Sequence, residues 1–400
     1  LIEMKDAAAV FTHLLTHASP PYIFWRSPEG EIWVGGGMSD ERVPRDPKDW
    51  RGWLSRPNGT ETAPARLPQF LLLGFDPVSS AGGNWEGFPL AQLFRPAIGY
   101  HLDGNEETFF GLEAGDIPEV RSAEAAAFPV QGQIHIPDWA AEQYVERVRR
   151  GLQRIEAGAF QKIVLARSIG IELTTAFAPA RALASLQQQP HSFAICYSPD
   201  GSRFFLSATP ERLGRVRNGR FTTMALAGTM TRQRVAQDGF DTLLLNAKER
   251  AEHAYVTEMI RTELAAFADD VQVDDVQLLT LPHITHILTH MKCVLHPGRG
   301  MLDVVSALHP TPAVAGTPRV SAGKAIPELE SFQRGLYAGC IGWVDARGNG
   351  DAAVAIRSAV VHGKTAHAFA GAGIVAESDP LDEERETRAK LQTILDILGS

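Results

Sequence analysis

From residue 138 onward the apolar positions recur in long blocks, some at helical spacing and some at strand spacing, whereas before residue 130 they come in short runs broken by Gly and Pro. FLLLGF at 70–75 is typical of the first part, which predicts short strands and long loops and carries no legible chemistry. In IPDWAAEQYVERVRRGLQRIEAGAF, Tyr144, Val148, Leu152 and Ile155 share one helical face. KIVLARSIGIEL (162–173), SFAICYS (192–198), RFFLSAT (203–209) and RFTTMALAGT (220–229) read as strands, and the short turns joining them predict antiparallel pairing. Residues 243–267 predict a long amphipathic helix and residues 380–398 a second. Between these helices, residues 335–375 alternate apolar runs with Gly and Asn turns, the pattern of a meander. Helices and strands come in blocks without internal repeats, so the expected class is α+β.

Composition sets limits. Four hundred residues at 44% hydrophobic and 21% charged describe an ordinary folded chain. No apolar run is long enough to cross a bilayer, and the opening LIEMKDAAAVFTHLL lacks the flanks of a secretory signal, so a cytoplasmic protein with no membrane partner is expected. Cys196, Cys293 and Cys340 are too few and too dispersed for a disulfide framework or a zinc knuckle, and read as apolar filler. The net charge of −9 is spread along the chain, with no basic stripe of interleaved aromatics, which argues against a nucleic-acid partner. An anionic ligand would need local cations or a bound metal.

Candidate chemistry starts with two carboxylate pairs. Glu249 and Glu252 are spaced i, i+3 and continue the apolar stripe of Val256 and Ile260. Glu383 and Glu386 repeat the spacing behind a Ser378-Asp379-Pro380 helix start, with Lys390 one turn on. Acids in a first turn often do no more than complement the helix dipole, but two such helices in one chain weigh against that. Carboxylates from separate helices are a usual way to build an oxygen-only Mg²⁺ site. Lys162 precedes an apolar strand, where burial would lower its pKa and suit a general base, or where it would simply snorkel to water. Glu211, in SATPERL, is either a turn residue or a carboxyl raised by burial for acid work. Arg357 interrupts the apolar run AVAIRSAVV, and facing inward it would demand an anionic partner. The Gly371-Ala372-Gly373 segment offers backbone N–H groups to an anion, or forms a tight hairpin or bulge. His283, His286 and His290 do not form a zinc spacing.

In order, QKIVLAR, SATPERL, LAGTMTR, NAKERAEH, HPTPAVAGTP, RGLYAGCIGW, AIRSA and GAGIVAESDPLDEERETRAK resemble the chorismate-utilising enzymes over residues 140–400. That resemblance implies one large α+β domain of layered antiparallel sheets packed with helices, residues 1–130 being a divergent N-terminal part of the same fold and 131–400 the chorismate-binding catalytic region. It places Mg²⁺ on Glu252 and Glu386, with Glu249 and Glu383 as alternate or water-mediated partners. It makes Lys162 the base that activates water and Glu211 the acid that protonates the leaving hydroxyl. Substrate contacts then fall on Gly228, Thr229, Tyr337, Arg357, Gly371, Ala372, Gly373 and Lys390, with His286, more often a core histidine than a ligand, kept as a secondary candidate. Family members that use water carry Lys at the position of Lys162, and HPTPAVAGTP is similar to the isochorismate synthase form, with chorismate as substrate and isochorismate as product. Salicylate synthases share the lysine and go on to release pyruvate, and a non-catalytic metabolite-binding paralogue is the third alternative. The resemblance implies a monomer, and leaves the choice of quinone or siderophore synthesis to the next enzyme.

Overall fold

The computed structural model describes residues 6–55, 67–79, 81–112, 115 and 138–399, so the boundary expected at 130/131 lies outside the described residues. Among the described residues every strand pair is antiparallel, and the strands form two large sheets. In the first sheet, Lys162–Glu172 pairs with Thr365–Ile374, and the order runs on through Ser358–His362, Arg203–Thr209 and Phe193–Ser198 to Tyr22–Arg26. In the second, Ile284–Val294, Arg220–Thr231, Arg212–Arg217, Gly350–Val354, Cys340–Val344 and Gln69–Leu73 are successive neighbours. Strands from both ends of the chain therefore share each sheet.

Period-two alternation explains how the layers pack. In Tyr22–Arg26, Ile23 and Trp25 face an apolar cluster shared with the second sheet, while Tyr22 and Phe24 face a cluster built with helices. The same split occurs in Phe193–Ser198, where Phe193, Ile195 and Tyr197 enter the first cluster and Ala194 and Cys196 the second. Leu391, Ile394, Leu395 and Ile397 seat the C-terminal helix Pro380–Gly399 on the second cluster, which leaves its first two turns free to carry acids. Asp379 caps that helix, its side chain accepting the N–H groups of Leu381 and Asp382. All three cysteines are buried and unbridged. Among the described residues, no helix is long and apolar enough to cross a membrane.

Four expectations need correction. A helix spans Ala7–His17 where only strands and loops were expected, with Val10, Phe11 and Leu14 buried. The helix expected over 243–267 begins at Ala247: Asn246 takes extended backbone angles, closes the short helix Phe240–Leu245, and accepts the N–H of Glu249 to cap the next. The meander expected over 335–375 is divided between sheets. Gly350–Val354 pairs in the second sheet and Ser358–His362 in the first, and the chain crosses at Arg357, whose φ of 51° stops strand geometry. Gly371 and Gly373 form neither a hairpin nor a bulge; they lie within the strand Thr365–Ile374, opposite Ala166 and Val164.

Candidate active site

Lys162 is the first residue of its strand and has no exposed surface. Its Nζ lies 3.1 Å from Glu252 Oε1. Burial pushes the ammonium pKa down, and Glu252 opposes part of that fall. Gly373 makes room for the pair: a Cβ there would overlap Glu252 Oε1 and stand 2.9 Å from Lys162 Cε. Gly371 does the same for Tyr337, whose hydroxyl would be 2.9 Å from an added Cβ, and its carbonyl accepts Lys390 Nζ at 3.0 Å.

The strand that carries Lys162 is held on its open side by side chains. Glu330 Oε1 accepts the N–H of Ala166 at 2.7 Å, Arg334 donates to Val164 O at 2.8 Å, and Arg147 donates to Ala166 O. Glu330 and Arg334 form a buried two-point ion pair at 2.5 and 2.9 Å. Sequence reading missed this clamp because Glu330 and Arg334, an i, i+4 pair, and Arg147 act on a strand that is remote from both in the chain.

The two acidic helices meet beside this lysine. Glu249 and Glu252 are buried on the helix Ala247–Leu264, and Glu383 and Glu386 on the C-terminal helix. Lys248 was also missed. Its Nζ stands 3.0 Å from Glu249 Oε1, 2.8 Å from Glu383 Oε1 and 4.0 Å from Glu386 Oε2, and Lys390 Nζ is 2.6 Å from Glu386 Oε1. The available signal was a lysine in a helix first turn, where the dipole disfavours positive charge. Burial pushes the carboxyls of Glu249 and Glu383 up, to about 7 and about 8. Burial acts the same way on Glu252, but Lys162, Lys248 and Lys390 together outweigh it and hold that carboxyl below its usual value.

Among the described residues no three His, Cys, Asp or Glu side chains stand ready around one point for a cation, because lysines are interposed. The oxygens themselves suit a hard cation. Glu252 Oε2, both oxygens of Glu383 and Glu386 Oε1 are buried without an aligned hydrogen-bond donor. Glu249 differs, because its Oε2 accepts the N–H of Thr229 at 2.6 Å. Gly228 allows that contact: with φ of 78° it forms a bulge, and a Cβ would lie 2.7 Å from Glu249 O.

Glu211, Arg357, His286 and Thr229 form the facing wall. Burial pushes the Glu211 carboxyl up to about 7, against the pull of Lys162, Lys390 and Arg357. Arg357 Nη2 donates to His286 Nε2 at 3.0 Å; a guanidinium only donates, so the imidazole hydrogen sits on Nδ1, 2.9 Å from Thr229 Oγ1. Burial and Arg357 keep His286 neutral by holding its pKa well below the usual range. Arg357 Nη1 is buried and has no partner, a donor left for an anion.

These walls enclose a cavity of about 40 Å³ lined by Glu211, Thr229, Glu252, His286, Tyr337, Arg357, Gly371, Gly373 and Lys390, together with Ala313 and Val314. Small-molecule sites typically measure ~300–1,000 Å³, so side chains must move to admit a ligand. Lys162 lies behind Glu252 and Gly373, and Glu249, Glu383 and Glu386 connect to the lining through ion pairs. Two expected substrate contacts do not line the cavity: Gly228 supports the Glu252 helix, and Ala372 turns to the apolar core.

A family model described as "Chorismate binding enzyme" matches residues 116–399. The chain belongs to that family. Over 95% of its length this chorismate-binding enzyme is 31% identical to the salicylate biosynthesis isochorismate synthase of Pseudomonas aeruginosa, covering 85% of that protein. It is also 31% identical to isochorismate synthase MenF of Bacillus subtilis, over 100% of this chain and 92% of the relative. Among solved structures it superposes on the menaquinone-specific isochorismate synthase of Escherichia coli with a TM-score of 0.77 at 25% identity, covering 99% of this chain and 92% of that one.

Proposed function

We propose that this chorismate-binding enzyme is an isochorismate synthase, an isomerase that adds water at C2 of chorismate and expels the C4 hydroxyl. The observation that carries this reading is the pairing of a buried amine, Lys162, at the start of a strand directly behind the cavity lining, with a carboxyl raised to about 7, Glu211, in the turn between Arg203–Thr209 and Arg212–Arg217 that lines the cavity. An amine that resists its charge suits proton abstraction, and a carboxyl that keeps its proton near neutrality suits proton donation. Lys162 takes a proton from water as its oxygen bonds to C2, the ring double bonds shift, and the C4 oxygen leaves with the proton of Glu211. One water is consumed and one released.

The unpartnered Nη1 of Arg357 is the natural donor to the enolpyruvyl carboxylate, and Tyr337 stands close by on the lining. Glu252, Glu383 and Glu386 would hold the implied Mg²⁺ through their buried carboxylate oxygens, those of Glu383 and Glu386 now shared with Lys248 and Lys390, with Glu249 restrained by Thr229. Bound there, Mg²⁺ would offset the acids so that a dianionic substrate can sit beside them.

The test is the product profile from chorismate with Mg²⁺ and with EDTA. Isochorismate without pyruvate, formed only with Mg²⁺, is expected. Pyruvate released as fast as chorismate disappears would favour a salicylate synthase, and no consumption at all would favour a non-catalytic paralogue.

A further inference from the structure

Lys162 has no exposed surface, and Lys390, whose side chain is as exposed as that of Lys248, is tied to Gly371 O at 3.0 Å and, among the described residues, pairs only with Glu386 of its own helix. Lys248 is different. It follows the capping Asn246 into the first turn of its helix, an unfavourable place for a cation unless acids offset the dipole. Three carboxylates do so: Glu249 and Glu383 within 3.0 Å, and Glu386 at 4.0 Å. Two of these, Glu383 and Glu386, carry buried oxygens without an aligned donor, and Lys248 bridges both acidic helices by itself. Its side chain keeps 14% exposure, which gives the flexible ammonium a route to water.

We propose that Lys248 is a resident counter-ion that holds the two acidic helices together when the divalent cation is absent and swings outward when the cation binds. This rests on the reading of Glu252, Glu383 and Glu386 as metal ligands. A cation taking Glu383 and Glu386 meets an ammonium already beside them, and like charges at that range in a buried site repel strongly. The lysine also prevents collapse or repulsion of the empty acids, so metal affinity is reduced in exchange for a folded metal-free state.

The test uses the whole chain without chorismate. Mg²⁺ binding to wild type and to Lys248→Met is measured by titration calorimetry, and thermal unfolding is followed with and without Mg²⁺. Lys248→Met is expected to bind Mg²⁺ about tenfold more tightly and to melt lower than wild type only when metal-free. Equal or weaker binding in the variant, with binding intact in wild type, overturns the displacement alone. No Mg²⁺ binding by wild type overturns the metal reading and this proposal with it. A second measurement needs no variant: the rate at which an amine-reactive reagent modifies Lys248, read by peptide mass spectrometry. Mg²⁺ is expected to accelerate that modification in wild type; an unchanged or slower rate overturns the proposal.

Discussion

Lys162 Nζ stands 3.1 Å from Glu252 Oε1 in a pocket where the lysine is wholly buried and the carboxylate nearly so. The two groups depend on each other, since neither has water to solvate it. Lys162→Ala is therefore expected to lower kcat by about 10²–10⁴-fold, the usual worth of a general base. It also strands Glu252, at a cost of about 3–5 kcal/mol in stability. Saturating Mg²⁺ should recover part of that stability but none of the turnover, which thermal melts and a chorismate assay run side by side would check.

Glu211 provides a pH signature. Its carboxyl is raised from 4.5 to about 7, so the folded protein keeps a proton that the unfolded chain releases earlier. The resulting stabilisation is complete below about pH 4.5 and is lost as pH rises through about 7, a difference of roughly 3 kcal/mol. Glu211→Gln has no proton to lose there. Its melting temperature, relative to wild type, should climb between about pH 5 and pH 8 in metal-free scanning calorimetry. A gap that stays constant with pH would show that the carboxyl is not raised.

Gly373→Ala places a Cβ against Glu252 Oε1 and Lys162 Cε. Overpacking of this kind costs about 1–3 kcal/mol, and here the strain falls on the reacting pair. kcat/KM should fall by about 10–100-fold and Mg²⁺ binding should weaken. Gly170→Ala on the neighbouring strand is the control, since its Cβ would meet only the His367 ring at 3.6 Å.

Arg357→Lys keeps the charge but cannot both bond His286 Nε2 and present a second planar donor to the cavity. KM for chorismate should rise by about 10–100-fold, with a smaller change in kcat, in steady-state kinetics. An equal loss in kcat with KM unchanged would move Arg357 from substrate binding to the transition state.

Local pattern made much of this legible. The i, i+3 acids showed in the sequence because helical spacing and an apolar stripe fix their face, and the Asp379-Pro380 start fixes where the second pair lies. The Ala7–His17 helix was overlooked among Gly- and Pro-rich neighbours, although Val10, Phe11 and Leu14 carry the period. The break at Arg357 depends on a positive φ that no composition announces. Glycine spacing suggested a turn at 371–373, whereas the reason for glycine there is the bulk of Glu252, Lys162 and Tyr337 on other segments. Lys248 and the Glu330–Arg334 clamp were invisible for the same reason: each acts on groups that only folding brings near.

The pairing of Lys162–Glu172 with Thr365–Ile374 joins segments roughly 200 residues apart, a separation that slows folding. On the ribosome, Lys162, Glu211 and Glu252 emerge long before Gly373 and Glu386 exist, so a nascent chain carries a half-built pocket beside an unpaired strand edge. Chaperone demand should therefore concentrate in the interval before the strand Thr365–Ile374 and the helix Pro380–Gly399 are translated, and truncations that stop short of them should aggregate rather than retain partial activity.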